Sequence, residues 1–290
     1  RSTPLYSSAA SDVYKRQIIV STFPLYPYFF EHYVKDGGRP RPVITIVTDS
    51  IEINASWRKA PTDFWLVTDE ETRKAMVAKN IRESKVVNTG FPVNPLLATL
   101  EPLSSTDPAT PFRILYFPTP SKSEMRKTAR AVLEERPWPT ELTFVLGRNV
   151  RRLYRSASEI RERYPGRVLI KGWTRKVPQL LCEHHLVIGK AGGATVHESL
   201  AACCPMLIRH LVPGQEEGNL ELLSNLGGGS LTHNEATLSR ALDEMLTDQA
   251  TKWRQQKESL SLHSRPDAAR DAATFILNTA RRNLRSSTEG

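Results

Sequence analysis

The chain has 290 residues, of which 39% are hydrophobic, and it carries 40 Lys and Arg against 31 Asp and Glu, a formal net charge of +9. This length is enough for two domains with hydrophobic cores of their own, and the sequence has no run of about eighteen apolar residues that would form a transmembrane helix. The basic composition favours polyanionic partners, namely nucleic acid, an anionic lipid surface or a nucleotide diphosphate, without selecting one of them.

Residues 1–17, RSTPLYSSAASDVYKRQ, have neither hydrophobic periodicity nor the apolar centre of a signal peptide. We interpret them as a non-native or disordered leader. Four apolar runs follow, within IIVST, PVITIVTD, FWLVTD and KVVNTG, and amphipathic segments separate them. This alternation over residues 18–97 predicts a parallel sheet with helices on both faces. One of these helices is predicted over 69–79, where Thr68 and Glu71 have the spacing of a capping box.

Residues 98–111 mix Pro, Ser and Thr without periodicity, so we expect an interdomain linker. A second series of strands and helices covers residues 112–265, with strands at FRILYF, LTFVLG, RVLIKG and HLVI. Residues 266–290 form a predicted alanine-rich helix, whose terminal arginines either contact anionic lipid or are simply solvated. The predicted fold class is therefore α/β with two Rossmann-like, doubly wound domains. Sheets of this kind bind ligands at the carboxyl ends of their strands.

The turn after HLVI is the most informative stretch of the chain. Gly192, Gly193 and Ala194 lead into a helix that we expect to begin at Thr195. Glycines let the backbone approach a phosphate, and the unpaired N–H groups of a helix start attract its charge. Thr195 and Glu198 also have capping-box spacing, which would stabilise the same helix start without any ligand.

The polar loop beyond this helix carries groups that suit sugar hydroxyls. A strand over 206–208 leads to Gln215, Glu216 and Asn219, which we expect on the first turn of the next helix. In their order and spacing, KAGGATVHE, CCP and GQEEGN resemble the nucleotide-sugar half of the monogalactosyldiacylglycerol synthases and processive diacylglycerol glucosyltransferases. A more distant resemblance is to the GlcNAc transferases that make lipid II.

The first half of the chain carries further motifs of the same family, in STFPLYP, VTD, LVTDEETRKAM and VNTGFPVNP. The resemblance implies the two-domain arrangement called GT-B. In that arrangement residues 18–97 are a partial N-terminal acceptor domain, 112–265 the C-terminal UDP-sugar-binding domain, and 266–290 a helix that crosses back to the first domain. It also implies that Asp49, and less directly Trp57, lies on the acceptor side. The alternative for Asp49 is a helix or turn cap.

The resemblance assigns donor-binding roles in the second domain. FVLGRN resembles a strand end of the family, and IKGWTRKVPQLL resembles its uracil-binding loop, with Trp173 and Val177 as an apolar wall. The alternative for these two residues is packing between helix and sheet. The segment YFPTPSKSEM departs from the glycine-rich turn that the family has at this position. Residues 121–123 would instead donate hydrogen bonds to a phosphate at the helix start. The candidate donor-binding residues are Gly147, Arg148, Asn149, Trp173, Val177, Gly192, Gly193, Ala194, Thr195, Glu198, Gln215, Glu216 and Asn219.

The reaction implied by the resemblance is an inverting transfer of a hexose from a UDP-sugar to a lipid acceptor, with diacylglycerol as the expected acceptor. Glu198 would bind the ribose. The family's general base is a histidine in a glycine-rich loop that this sequence does not contain, so we expect an incomplete first domain, no general base and impaired turnover. The alternatives are a UDP-GlcNAc 2-epimerase, a lipid II type GlcNAc transferase, and a non-enzymatic basic module that binds nucleic acid or membrane.

The spacing of the cysteines indicates the redox state of the cellular compartment and whether a metal site is expected. Cys182, Cys203 and Cys204 form no metal-binding pattern, and His184 and His185 have no partner ligands nearby in the sequence. We therefore expect reduced thiols, no metal and no cofactor, in a cytoplasmic protein peripheral to an anionic membrane surface. No Asp-x-Asp motif occurs, and no nucleic acid partner is expected.

Overall fold

In the computed structural model of this protein, residues 17–214 and 216–288 are described. For residues 284–288 the backbone alone is described. The predicted leader therefore lies outside the described part of the chain apart from Gln17, and so does Gln215 of the candidate donor-binding set.

The chain forms two compact units. The first contains the chain up to Pro92 together with the chain from Ala268 onward, and the second runs from Val93 to Asp267. The segment 98–111, the predicted linker, is thus part of the second unit.

The first unit has a sheet of four parallel strands in the order β1-β2-β3-β4. Short runs of β-branched and aromatic residues form these strands, because such side chains pack well on a pleated surface. Within the described residues, no helix of either unit is both long and apolar enough to span a membrane. The elements of the first unit are β1 (Ile19–Ser21), α1 (Tyr26–Lys35), β2 (Val43–Ile46), α2 (Ala55–Arg58), β3 (Phe64–Val67), α3 (Glu70–Ala78), β4 (Val86–Asn88) and α10 (Ala268–Thr288).

Successive side chains of β3 point to opposite faces of this sheet. Trp65 belongs to a hydrophobic cluster with Met76 of α3 on one face, and Leu66 belongs to a cluster with Ala272 of α10 on the other. The period of two along the strand therefore covers both faces with helices.

Helix α3 begins differently from the sequence-based expectation. Its N-cap is Asp69, whose Oδ1 accepts a hydrogen bond of 2.7 Å from the N–H of Thr72. The predicted capping box of Thr68 and Glu71 is therefore wrong. Asp69 takes the cap, and Thr68 instead donates from Oγ1 to Asp69 Oδ2 at 2.6 Å.

The second unit has a sheet of six parallel strands in the order β10-β9-β8-β5-β6-β7. The chain runs from β5 outward to β7 and then returns to β8 on the other side of β5, so the strand order reverses between β5 and β8. Ligands bind at the carboxyl ends of strands beside such a reversal. The elements are β5 (Phe112–Tyr116), α4 (Lys122–Leu133), β6 (Thr140–Val145), α5 (Val150–Arg163), β7 (Val168–Lys171), α6 (Val177–Glu183), β8 (Leu186–Lys190), α7 (Gly193–Ala201), β9 (Met206–His210), α8 (Glu217–Asn225), β10 (Gly229–Leu231) and α9 (Glu235–His263).

Helix α9 is interrupted between Thr247 and Ala250, where Asp248 and Gln249 have positive φ angles of 50° and 57°. Beyond the interruption the sequence predicts a polar helix around Trp253. The indole of Trp253 is nevertheless fully buried in the core, and its Nε1 donates to the carbonyl of His185. A single large aromatic side chain therefore fixes this helix to the strand that leads into the glycine turn.

Candidate functional site

The glycine turn after β8 leaves the start of α7 open. The helix begins at Gly193, ahead of the predicted start at Thr195, and its N-cap Gly192 has φ −68° and ψ 138° with no side-chain cap hydrogen bond. The predicted capping box of Thr195 and Glu198 is therefore wrong, because a glycine occupies the N-cap and Thr195 lies within the first turn. The N–H groups of Gly193, Ala194 and Thr195 are consequently uncapped by any side chain, which is the arrangement that attracts an anion.

A lysine lies over this turn. A Cβ atom built on Gly192 would approach Lys190 Nζ to 3.0 Å, so a residue larger than glycine would displace that ammonium group. Lys190 Nζ is 2.5 Å from Oε1 of Glu216, and the Lys190 side chain is 53% exposed whereas that of Glu216 is 7% exposed. Lys190 is not among the residues predicted from the sequence, although its position immediately before the small-residue turn is a usable signal.

The start of α8 is joined to the same turn. Glu216 is the N-cap of α8 and its Oε2 accepts from the N–H of Val212 at 3.1 Å. Asn219 lies in the first turn of the helix, is 2% exposed, and donates from Nδ2 to the carbonyl of Ala191 at 3.1 Å. Among the described residues the buried Oδ1 of Asn219 has no hydrogen-bond partner. A buried acceptor of this kind requires a donor, and a ligand hydroxyl is one.

Glu198 lies one turn into α7, where its carboxyl group is partly buried. Burial raises the pKa of Glu198 above its ordinary value, since the charged form is less well solvated there. Within the described part of the chain, no side-chain hydrogen bond or ion pair of this carboxyl group is present. It is therefore an available acceptor on the same helix that offers the open N-terminus.

Further predicted donor-binding residues lie after the carboxyl end of β6 and at the start of α6. Gly147 has a φ of +55° and donates from its N–H to the carbonyl of Gly172 at 3.3 Å. Arg148 is exposed, whereas Asn149 and Val177 are partly buried.

Trp173, the aromatic member of the predicted uracil wall, is 62% exposed. The alternative interpretation, packing between helix and sheet, is therefore excluded for this side chain. The guanidinium carbon of Arg175 lies 5.5 Å from the ring centroid, and such a cation over the ring face holds the indole at the surface. An exposed flat ring at the carboxyl end of a parallel sheet is suited to stacking with a base.

A cavity of about 240 Å³ opens at the reversal of strand order, beside the ends of β5, β8 and β9. Arg209 lines it with a side chain only 5% exposed, which pairs with Glu124 Oε2 at 3.2 Å and donates to the carbonyl of Thr232 at 2.6 Å. Arg209 is not among the residues predicted from the sequence, although an arginine inside the apolar run MLIRH is a usable signal. The residues that line the cavity are Tyr116, Phe117, Thr119, Glu124, Thr128, Gly189, Arg209, His210 and His233.

Ser121, one of the residues expected to donate to a phosphate, is the N-cap of α4. Its Oγ accepts from the N–H of Glu124 at 3.3 Å. The hydroxyl therefore supports the helix start rather than leaving it open, in contrast to the turn before α7.

Asp49 follows the carboxyl end of β2 in the first unit. Its Oδ2 accepts a hydrogen bond of 2.7 Å from Nε1 of Trp57, so the two predicted acceptor-side residues are in direct contact. The N-cap of the nearby helix α2 is Asn54, and Asp49 is not that cap. Burial raises the pKa of Asp49, and the hydrogen bond from Trp57 lowers it in part. Ile51 has a φ of +53°, a strained conformation for a β-branched residue that often marks functional loops.

The adjacent histidines are structural. His184 contacts the Leu180 carbonyl through Nδ1 at 2.7 Å and Thr143 Oγ1 through Nε2 at 2.9 Å. His185 accepts from the N–H of Arg113 at 2.9 Å. Across the described residues, no group of three or more His, Cys, Asp or Glu side chains is arranged to hold a metal ion.

The chain is similar in sequence to known glycosyltransferases of lipids. Residues 12–93 match the family model for monogalactosyldiacylglycerol (MGDG) synthase. The chain is 22% identical over 263 residues to a processive diacylglycerol beta-glucosyltransferase of Bacillus subtilis, covering 87% of this chain and 66% of that protein. It is 23% identical over 278 residues to MGDG synthase 2 of Arabidopsis thaliana, covering 91% of this chain and 59% of that protein. The chain thus spans less than two thirds of the length of these relatives.

Solved structures of other proteins share the fold of this chain, although their sequence identity to it is low. MurG of Acinetobacter baumannii superposes with a TM-score of 0.66 at 14% identity, covering 96% of this chain and 82% of that one. A UDP-GlcNAc 2-epimerase of Neisseria meningitidis bound to UDP-GlcNAc gives 0.64 at 12% identity, covering 94% and 80%. These comparisons confirm the predicted α/β fold class of two Rossmann-like GT-B domains. They also confirm the family resemblance, since over most of its length the chain is similar to the MGDG synthases and processive diacylglycerol glucosyltransferases.

Proposed function

We propose that this chain binds a UDP-sugar on its second unit and serves the transfer of the hexose, with inversion, to the hydroxyl group of a lipid, with diacylglycerol as the acceptor. Turnover by this chain is expected to be slow, because the sequence does not contain the glycine-rich loop with the family's histidine base. The observation that carries the proposal is the uncapped start of α7 with the Lys190 ammonium beside it. The names of these relatives support a hexose as the transferred group and diacylglycerol as the acceptor, and a solved structure of similar fold is bound to UDP-GlcNAc.

The barrier to hexose transfer lies in the departure of a diphosphate. The N–H groups of Gly193, Ala194 and Thr195 would stabilise the charge that develops on it, and Lys190 would add a cation. Pre-organised donors of this kind are effective because they do not have to reorient during the reaction, and removal of one typically costs a factor of about 10² to 10³ in kcat.

The positions of three further side chains suggest the remaining contacts with the UDP-sugar. Glu198 would accept from the ribose hydroxyls, and the exposed ring of Trp173 would stack on the uracil. The buried Oδ1 of Asn219 would accept from a hydroxyl of the hexose, which would supply the partner that this oxygen lacks among the described residues. Glu216 would then act mainly through Lys190, because both of its carboxylate oxygens already have partners.

The acceptor side of the proposal rests on the first unit. Asp49 follows the carboxyl end of β2, and exposed aromatic side chains follow the carboxyl end of β1, with Phe23 47%, Tyr26 59% and Phe29 65% exposed. Strands β1 and β2 are parallel neighbours, so these groups share one edge of the sheet. Exposed apolar side chains clustered in this way suit contact with a lipid surface, where the protein would meet its acceptor as a peripheral membrane protein.

The test is product analysis with matched donors. UDP-galactose, UDP-glucose and UDP-GlcNAc are each incubated with the chain, with and without diacylglycerol vesicles, and the products are separated by chromatography and identified by mass. A glycolipid that forms only in the presence of vesicles supports the proposal. Epimerised UDP-sugar without acceptor would establish the epimerase alternative, and salt-sensitive DNA binding unaffected by UDP would establish a nucleic-acid module.

A further inference from the structure

An open cavity of the first unit lies at the opposite edge of the sheet from Asp49. It has a volume of about 780 Å³ and is bounded by the amino ends of β2, β3 and β4 and by α10. None of the predicted donor or acceptor residues lines it. The lining residues are Pro40, Arg41, Pro42, Asp63, Phe64, Arg82, Ser84, Lys85, Phe275, Thr279, Arg282 and Asn283.

The rim of this cavity is strongly basic. Four of its lining residues are arginine or lysine, and Asp63 is the one carboxylate among them. Asp63 Oδ2 accepts from the N–H of Val43 at 2.8 Å, so this carboxylate is committed to the start of β2. Within the described part of the chain, the side chains of Arg82 and Lys85 take part in no hydrogen bond or ion pair. A cluster of cations on a concave surface concentrates its field and attracts an anion.

The floor of the cavity is apolar and firmly packed. The rings of Phe64 and Phe275 meet edge to face with centroids 5.2 Å apart, and both pack against the buried cluster that contains Ile44 and Leu66. The floor therefore belongs to the core of the unit and exists before any ligand arrives. A preformed apolar floor beneath a few convergent charged groups is the usual composition of a small-molecule site, and the volume lies within the usual range of about 300–1,000 Å³.

We propose that this cavity binds an organic phosphate, with its phosphate group against Arg82 and Lys85 and its apolar part on the Phe64–Phe275 floor. Arginine presents a planar fork that matches phosphate oxygens, and lysine adds a mobile point charge. A lipid headgroup and a soluble phosphate ester both have this chemistry. The proposal does not depend on the transferase assignment, because the residues it uses all lie in the first unit, at the amino ends of the strands.

The primary test measures binding of dihexanoyl phosphatidic acid, below its micelle concentration, to the full chain by isothermal titration calorimetry. Arg82→Glu and Lys85→Gln should each weaken binding roughly tenfold or more, and added salt should weaken it further. Lys79→Glu is the matched control, because Lys79 is exposed on the same unit and does not line the cavity. Uncharged dihexanoylglycerol should not bind at this site, and thermal melting should show that each variant is folded.

Two further probes distinguish the sources of the phosphate. Glycerol 3-phosphate that binds as tightly as the lipid, with the same dependence on Arg82, would assign the site to a soluble ester. Binding that requires acyl chains or phosphatidic acid in vesicles would assign it to a lipid headgroup. If no probe shows a dependence on Arg82 and Lys85, or if Lys79→Glu weakens binding equally, the proposal is wrong. UDP affinity, measured on the same variants, should be unchanged, so failure here is separable from failure of the proposed function.

Discussion

Lys190 and Glu216 form an ion pair, 2.5 Å from Nζ to Oε1, that joins the end of β8 to the start of α8. The carboxylate of Glu216 is anchored by the N–H of Val212, so the position of the lysine over the Gly192 turn is set by the neighbouring loop. A ligand anion at the start of α7 would therefore meet a cation that is already oriented, and its binding would be coupled to the conformation of the loop before α8.

Replacement of Lys190 by alanine is expected to weaken UDP binding roughly tenfold. The change removes a cation beside the diphosphate, and it also leaves the buried Glu216 carboxylate without its partner, so that its negative charge repels the ligand. Lys190→Arg should retain most of the affinity because it keeps the charge. UDP binding is measured by isothermal titration calorimetry.

The matched control is Lys252→Ala, which breaks another lysine–glutamate pair of the second unit, with Glu244 at 2.6 Å. Both of these side chains are about half exposed, at 46% and 51%, and neither is near the glycine turn in the sequence. If Lys190→Ala and Lys252→Ala change UDP affinity equally, Lys190 has no role in anion binding.

Glu198→Gln is expected to weaken UDP binding while leaving the protein at least as stable as the wild type at neutral pH. Burial raises the pKa of Glu198, so the folded state holds its proton more tightly than the unfolded state does. Folding stability linked to this group is then present at low pH and is lost as pH rises through the folded-state pKa. The neutral amide removes that loss but accepts hydrogen bonds from ribose hydroxyls less strongly than a carboxylate.

Two measurements check this prediction. UDP affinity should fall several-fold in Glu198→Gln, and thermal melting at neutral pH should show an equal or higher Tm, with the difference shrinking as the solution is made acidic. An unchanged UDP affinity would remove Glu198 from the ribose site, whatever its effect on stability.

Asp49→Asn is expected to reduce transfer to the lipid acceptor and to leave UDP affinity unchanged. The amide oxygen still accepts from Trp57 Nε1, so the local structure is retained, but the negative charge is lost. Asp49→Ala additionally leaves the indole N–H of the buried Trp57 without its acceptor, at a cost of about 1–3 kcal/mol in unfolding free energy, offset in part by removal of a poorly solvated carboxylate. Glycolipid formation and UDP binding are measured in parallel. A parallel loss of UDP affinity would contradict an acceptor-side role.

Sequence patterns predict strands β1 to β9, because apolar runs flanked by turn residues have few other stable conformations in a buried sheet. Strand β10 has no such run, and the sequence did not predict it. Local patterns could not identify which residue caps a helix. Thr195 with Glu198 has capping-box spacing, yet the glycine at 192 takes the N-cap, and Asp69 displaces Thr68 in the same way.

Long-range pairs were beyond sequence reasoning for a different reason. Lys190 meets Glu216 across 26 positions, and Arg209 meets Glu124 across 85. Contacts at such separations are set by strand order, and no local periodicity encodes them. The burial of Trp253 is a further case, because the residues on either side of it are polar and its partner His185 lies far away in the sequence.

The second unit is expected to lose stability as the pH falls from about 6.5 toward about 4, because two buried histidines are held neutral. Burial lowers the pKa of His184 and of His185 to about 4 in each case, with a further contribution from the charge of Arg113. Between this value and the ordinary histidine pKa, the unfolded chain binds protons that the folded chain does not, so stability falls with decreasing pH. The full effect is roughly 3 kcal/mol for each histidine.

Hydrogen exchange of the β8 amide groups at several pH values, corrected for intrinsic exchange rates, gives the opening free energy directly. His184→Gln should flatten its pH dependence, because glutamine does not titrate, while its amide still offers a partner to the Leu180 carbonyl or to Thr143. A pH dependence as steep in this variant as in the wild type would show that His184 is not one of the groups responsible.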